Sequence, residues 1–368
     1  MSRPDPFAEI RMTTLHATRG ANFWSSRPIT RMDLAVGAYD DINSADVEGF
    51  TERLVGAMPG LWEHRCSVGE RGGFVRRLRR GTYAPHVAEH VALELQGMIG
   101  HDVGYGRTRG GDVEGEYTLV FEHLHEGVGL RCAALALQVV QRAFAGTLES
   151  VRHETAELRA IAATPDVPPV RQWVRCGITG GAHRNEARDL LCARLGSCDR
   201  DLVVDVSPSY VLQAGLPYSS SDAAIVLDAR PVDVPPRYRE AERAQRLVAV
   251  VADAVGRRGM VIVPAKEWEV QEMARDAGCT VGIFSDGDDI TRRDEKVACA
   301  TAWAGEGRIH IDRGDGPADA GRLDDALPAG PQVAAALAAH VLGGEGPAAV
   351  GAADEGAVEA DATGAARR

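Results

Sequence analysis

The chain has 368 residues, a formal net charge of −12 and a hydrophobic content of 45%, enough for two domains that each bury a core. An acidic balance with no basic stripe argues against nucleic acid as a partner, and no apolar run approaches the roughly 20 residues that cross a bilayer. The seven cysteines form no Cys-x-x-Cys pair and follow no signal peptide, so they read as reduced thiols in a cytoplasmic protein.

Residues 1 to about 30 read as irregular, with Thr18–Ser25 an ordered loop anchored by Phe23 and Trp24. Met32–Ala38 alternates as a strand does, and Asp46–Met58 places Val47, Phe50, Leu54 and Val55 on one helix face. A polar, glycine-punctuated stretch from Glu63 leads into Arg76-Arg77-Leu78-Arg79-Arg80. These arginines read as a solvated loop that can meet acidic chains or phosphates.

Gly81–Gly97 carries the clearest helix signature, with Thr82 as cap, Pro85 in the first turn and Gly97 as stop. It contains His-x-x-Glu-His. His86 and His90 lie one turn apart on one face, where two imidazoles can hold zinc, and Glu89 falls within reach of a metal-activated water. Val87, Val91, Leu93 and Leu95 show that the same helix also packs into a core. The third ligand is expected from a later helix, with Glu126 first and Glu122, His123 and His125 as competitors. Glu126 opens a predicted helix that follows the strand Tyr117–Leu124. Between these elements, His101–Gly111 has the composition of a binding or mobile loop, and its Arg107 and Arg109 join Arg76 and Arg77 as candidates for holding substrate carboxylates.

The runs Arg19–Ser25, Cys66–Leu78, Gly81–Gln96 and Val103–Arg109 together resemble the N-terminal domain of cyanophycin synthetases, over about residues 12 to 160. That domain handles a polymer of aspartate with arginine branches, and in some members it looks like a metallopeptidase that cuts the polymer into primers. The resemblance implies the same roles for His86, Glu89 and His90 as their spacing does. The family's ATP-grasp domain is absent from this chain.

After a proline-stiffened linker at 161–170, residues 171–315 alternate strands and helices as a parallel α/β domain whose order is similar to the central domain of Mur ligases. Gly177-Ile-Thr-Gly-Gly-Ala-His-Arg184 falls where that family has its phosphate loop, and Gly177 and Gly180 match it. Gly181 and Ala182 stand where the loop lysine and the magnesium-binding hydroxyl belong. The expected fold is therefore a small α+β domain (1–160) followed by a parallel-sheet α/β domain with a degenerate phosphate loop, and a low-complexity, largely disordered tail at 316–368 that holds one short apolar helix at Gln332–Leu342. The expected activity is zinc-dependent hydrolysis of a peptide or isopeptide bond, with ATP and magnesium not used. An acidic or amide-linked polymer is the expected partner, and a homo-oligomer is compatible with the resemblance. The alternatives are a noncatalytic polymer-binding partner of an active ligase, or an ATP-dependent ligase with an atypical nucleotide site.

Overall fold

The computed structural model describes residues 3–25, 27–66, 69–167, 171–196 and 202–343. The first domain is built from α1 (Pro6–Glu9), β1 (Arg11–Ala17), β2 (Ile29–Ala35), α2 (Phe50–Ala57), α3 (Gly73–Arg80), α4 (Ala84–Gly97), β3 (Gly106–Gly110), β4 (Glu116–Glu122), α5 (Glu126–Ala145) and α6 (Arg152–Ala162). Its four strands form an antiparallel sheet in the order β1-β2-β4-β3. The N-terminal segment is thus more ordered than its polar composition suggests, because β1 pairs with β2 even though its own side chains are largely exposed. The arginine cluster lies on the helix α3 rather than on a loop, and the glycine-rich stretch around residue 106 forms the edge strand β3.

The second domain contains β5 (Arg171–Thr179), α7 (Arg184–Arg194), β6 (Val203–Asp205), α8 (Pro208–Ala214), β7 (Tyr218–Val226), α9 (Ala241–Ala249), β8 (Val255–Pro264), α10 (Trp268–Asp276), β9 (Thr280–Ser285) and α11 (Arg292–Val297). It continues through β10 (Ala300–Gly305), β11 (Arg308–Asp312), β12 (Ala318–Arg322) and α12 (Ala329–Gly343). The eight strands run in the order β12-β11-β10-β9-β8-β7-β5-β6, parallel from β10 to β6, with an antiparallel meander on the β12 edge. The expected tail at 316–368 is corrected here: β12 extends the sheet, and α12 buries Val333, Ala334 and Leu337 in the core beside β9 and β10. The short apolar helix expected at Gln332–Leu342 is α12, and its alanines form a close-packing face rather than part of a solvated tail. The remainder of that expectation, beyond residue 343, lies outside the described residues.

Strand alternation explains how the two domains share a core. Along β4, Leu119 and Phe121 face the helices of the first domain, whereas Val120 faces the second domain together with Trp24 and Ile29. Along β8, Val261 and Val263 enter that shared core, while Met260 and Ile262 face α7 and α12 on the other side of the large sheet. Trp24 is the hinge of the arrangement: it is 5% exposed, donates from Nε1 to Leu212 O at 3.2 Å, and meets Phe23 and Tyr238 edge-on. Gly20 lets the chains close up, since a Cβ there would lie 2.2 Å from Leu216 O. The helix α5 is long and apolar enough to meet the length and composition of a membrane span, yet two-thirds of its apolar window is buried inside the first domain.

Trp24→Ala is expected to lower stability by about 3–5 kcal/mol in chemical denaturation, through lost burial and a cavity between the domains. Trp268→Ala, at a side chain 45% exposed, is expected to change it by less than about 1 kcal/mol.

Candidate metal centre

The helix α4 is buried almost all round, so its polar residues must find partners inside the protein. Pro85 occupies the first turn as expected, but Tyr83 holds the N-cap position and makes no side-chain cap bond. Thr82 serves another purpose: its Oγ1 lies 2.9 Å from His86 Nδ1. With Nδ1 engaged, His86 turns Nε2 towards Cys66 Sγ, 3.4 Å away. One turn further on, His90 Nδ1 lies 2.9 Å from His64 Nδ1, and His64 Nε2 lies 3.2 Å from Glu94 Oε2. If Glu94 accepts the His64 Nε2 proton, His64 Nδ1 accepts from His90 Nδ1, and the His90 Nε2 lone pair is left for a ligand.

The ligand atoms of Cys66, His86 and His90 all lie within 4.8 Å of one another. Cys66 adopts a left-handed backbone with φ 53°, a conformation that the surrounding fold must hold in a residue other than glycine. The Phe74 ring stacks on His90 with centroids 3.8 Å apart and meets His86 edge-on at 5.7 Å, fixing both imidazole planes. Burial lowers the His86 pKa to about 4. Burial, with His86 and His64 nearby, lowers that of His90 to about 2. Both imidazoles therefore stay neutral and keep a lone pair to offer a cation. One thiol and two imidazoles in this arrangement suit zinc, in a site with a coordination position left for water or substrate.

Glu89 stands beside this group, 6% exposed, and accepts a hydrogen bond of 2.5 Å from Thr108 Oγ1 on β3. Burial raises its pKa against that hydrogen bond. Gly106 permits the approach of β3, because a Cβ there would lie 2.8 Å from Glu89 Cγ. A cavity of about 820 Å³ opens over these residues, and Arg77, Arg107 and Arg109 line it. Arg76 does not; it is exposed and pairs with Glu70 at 2.8 Å.

Glu126 is placed elsewhere. It opens α5 as expected, but its carboxylate receives Arg19 Nε and Nη2 at 2.5 and 2.8 Å and is absent from the cavity lining. The competing residues are engaged as well. Glu122 accepts from Ser25, His123 meets Thr30, and His125 caps α5 by accepting from Val128 N. The group within reach of His86 and His90 is the Cys66 thiol, where the motif leads to the expectation of an acidic residue from a later helix. The available signal was His64-x-Cys66 just upstream of the helix, in a stretch read as loop, and a two-residue spacing across a left-handed turn has no periodicity to reveal it.

The loop after β5 also departs from a phosphate cradle. Gly181 N donates to Asp228 Oδ1 at 3.1 Å, and the same oxygen accepts from Arg230 N at 2.8 Å. Arg184 donates to the carbonyl oxygens of Gly180 and Gly181. A Cβ on Gly181 would lie 2.4 Å from Arg230 O, so a side chain has no room at the position where the loop lysine belongs. Gly177 is likewise fixed by packing, with Tyr218 Oη 1.8 Å from where its Cβ would be.

Residues 31–145 match the model of the cyanophycin synthase-like N-terminal domain. The chain is 40% identical over 164 residues to cyanophycin synthetase of Synechocystis sp., covering 42% of this chain and 18% of that protein. It is 38% identical over 183 residues to cyanophycin synthetase of Crocosphaera subtropica, covering 48% and 20%. The chain thus spans about a fifth of the length of these relatives, and the similarity lies in its N-terminal part. Among solved structures, MurF from Acinetobacter baumannii aligns with a TM-score of 0.32 and 15% identity over 47% of this chain and 43% of that one. A UDP-N-acetylmuramoyl-L-alanyl-D-glutamate–2,6-diaminopimelate ligase aligns at 0.31 and 11%, over 60% and 56%. At TM-scores this low the likeness says nothing about chemistry.

Cys66→Ala is expected to weaken zinc binding at least about tenfold in a competition titration with a chromophoric chelator, one ligand being worth a factor of that order. Glu126→Ala is expected to leave zinc affinity unchanged while lowering stability by no more than about 1 kcal/mol, because the Arg19 side chain that loses its partner is 44% exposed and is hydrated instead.

Proposed function

We propose that this chain is a zinc-dependent hydrolase of a peptide or isopeptide bond, with Cys66, His86 and His90 as ligands and Glu89 as general base, and that its second domain does not hydrolyse ATP. The convergence of one thiol and two imidazoles beside a buried carboxylate, all facing one cavity, carries this reading. Zinc held by these ligands supplies a Lewis acid that polarises a carbonyl and acidifies water. Glu89 then takes the proton of the attacking water and delivers it to the leaving nitrogen, so that the amine departs neutral. Thr108 holds the Glu89 carboxylate in register for both transfers. His64 and Glu94 fix the His90 tautomer. Arg77, Arg107 and Arg109 provide positive charge for substrate carboxylates along the same cavity.

Those arginines also favour a second reading, a noncatalytic polymer-binding partner of an active ligase, which needs no metal. For the second domain, the Asp228 carboxylate on the loop amide and the lack of room at Gly181 support loss of phosphate chemistry.

Glu89→Gln is expected to lower turnover of amide-linked aspartyl-arginine peptides by about 10²- to 10⁴-fold, the usual contribution of a general base, while zinc content stays at the wild-type level. A wild-type protein that binds zinc but cleaves no such peptide would instead favour the binding partner. Calorimetric titration with ATP and magnesium is expected to give no saturable heat; saturable binding with ADP release would restore the ligase reading.

A further inference from the structure

A second cavity, of about 520 Å³, lies at the junction of the two domains and shares Arg107, Arg109 and Gly110 with the cavity over the candidate metal centre. Arg107 and Arg109 come from β3, whereas Arg237, Arg243 and Arg246 come from the second domain, so neither domain forms the lining alone. Against five arginines stands one acidic side chain in the lining, Glu242. Among the described residues Arg107, Arg109, Arg237 and Arg246 make no ion pair, and Arg243 reaches Glu240 at 3.4 Å.

Arg237 ties the wall together by donating to Gly110 O and to Thr118 Oγ1 at 3.2 Å, and its Nε is buried without a partner. Tyr238, 2% exposed, also lines the cavity with an Oη that has no hydrogen-bond partner. Buried polar groups left open inside an arginine-rich hollow are what a bound acceptor would satisfy. The mutual repulsion is physical as well: burial, with Arg107 and Arg243 close by, lowers the Arg109 pKa. An anion brought in would relieve that repulsion. Phe23 and Trp24 give the cavity an apolar wall that suits the backbone and methylenes of a chain rather than a bare ion.

We propose that this junction is a binding site for an acidic peptide segment, whose carboxylates the arginines of both domains receive while the chain continues past Arg107 and Arg109 into the neighbouring cavity. The direction of the chain rests on the hydrolase reading; the site itself does not.

The test is calorimetric titration of the full chain with hexa-aspartate, beside ATP and inorganic phosphate, at two salt concentrations. Saturable binding of hexa-aspartate that weakens with salt is expected. The affinity is expected to fall at least about tenfold in Arg109→Ala/Arg243→Ala, two charge-assisted contacts being worth that or more. It is expected to stay within about twofold in Trp268→Ala, an exposed side chain that lines neither cavity. Arg246→Glu, at the rim contributed by α9, serves as a second variant, with the melting temperature showing that each protein is folded. Absence of hexa-aspartate binding, binding indifferent to both arginine variants, or preference for ATP or phosphate over the peptide would overturn the proposal. If the peptide binds as expected and no peptide bond is cleaved, the hydrolase reading fails and the site stands.

Discussion

The burial of polar side chains on the helix α4 is the constraint from which the first domain follows. An apolar helix of this length packs on any sheet of matching shape. One that carries His86, Glu89 and His90 into the interior requires a partner for each polar atom. Those partners come from separate parts of the chain: Thr82 from the turn before the helix, His64 and Cys66 from the loop before α3, Glu94 from the next turn, and Thr108 from an edge strand. Some of these approaches depend on a small or strained residue, as at Gly106 beside Glu89 and at Cys66 in its left-handed turn. Gly60 belongs to the same set, since a Cβ there would lie 2.0 Å from Glu94 Oε1.

The second domain depends on this arrangement through the sheet. Because successive residues of β4 point to opposite faces, the strand that supports α4 with Leu119 and Phe121 also presents Val120 to the second domain. Trp24 and Arg237 complete the junction, one by burying its ring and the other by reaching back to β3 and β4. The same strand β3 therefore carries a residue that holds Glu89 and a pair of arginines that face both cavities.

What the sequence made legible was what repeats with a period. The 3.6-residue pattern and proline placement located α4 and α5, and short apolar runs alternating with helical stretches located most strands of the parallel sheet. His86, Glu89 and His90 were legible because they share one helix face. The approach of Cys66 to the two histidines was not legible, since it comes through a turn whose geometry no spacing rule describes, and Glu126 pairs with Arg19 from a segment that reads as irregular. The edge strand β3 was hidden by its glycines and arginines, which serve the approach to Glu89 and the cavities rather than strand propensity. The apolar residues at 332–342 made the helix α12 legible, whereas its burial in the core and the strand β12 before it were hidden by the glycine and alanine content of that stretch.

Cobalt(II) reconstitution reads directly whether one thiol and two imidazoles form a single metal centre. Cobalt bound in stoichiometric amount, with the intense visible bands of a four-coordinate ion and a near-ultraviolet thiolate-to-metal charge-transfer band that disappears in Cys66→Ser, is the predicted result. No cobalt binding, or the weak spectrum of an oxygen-coordinated octahedral ion with no thiolate band, would contradict the account.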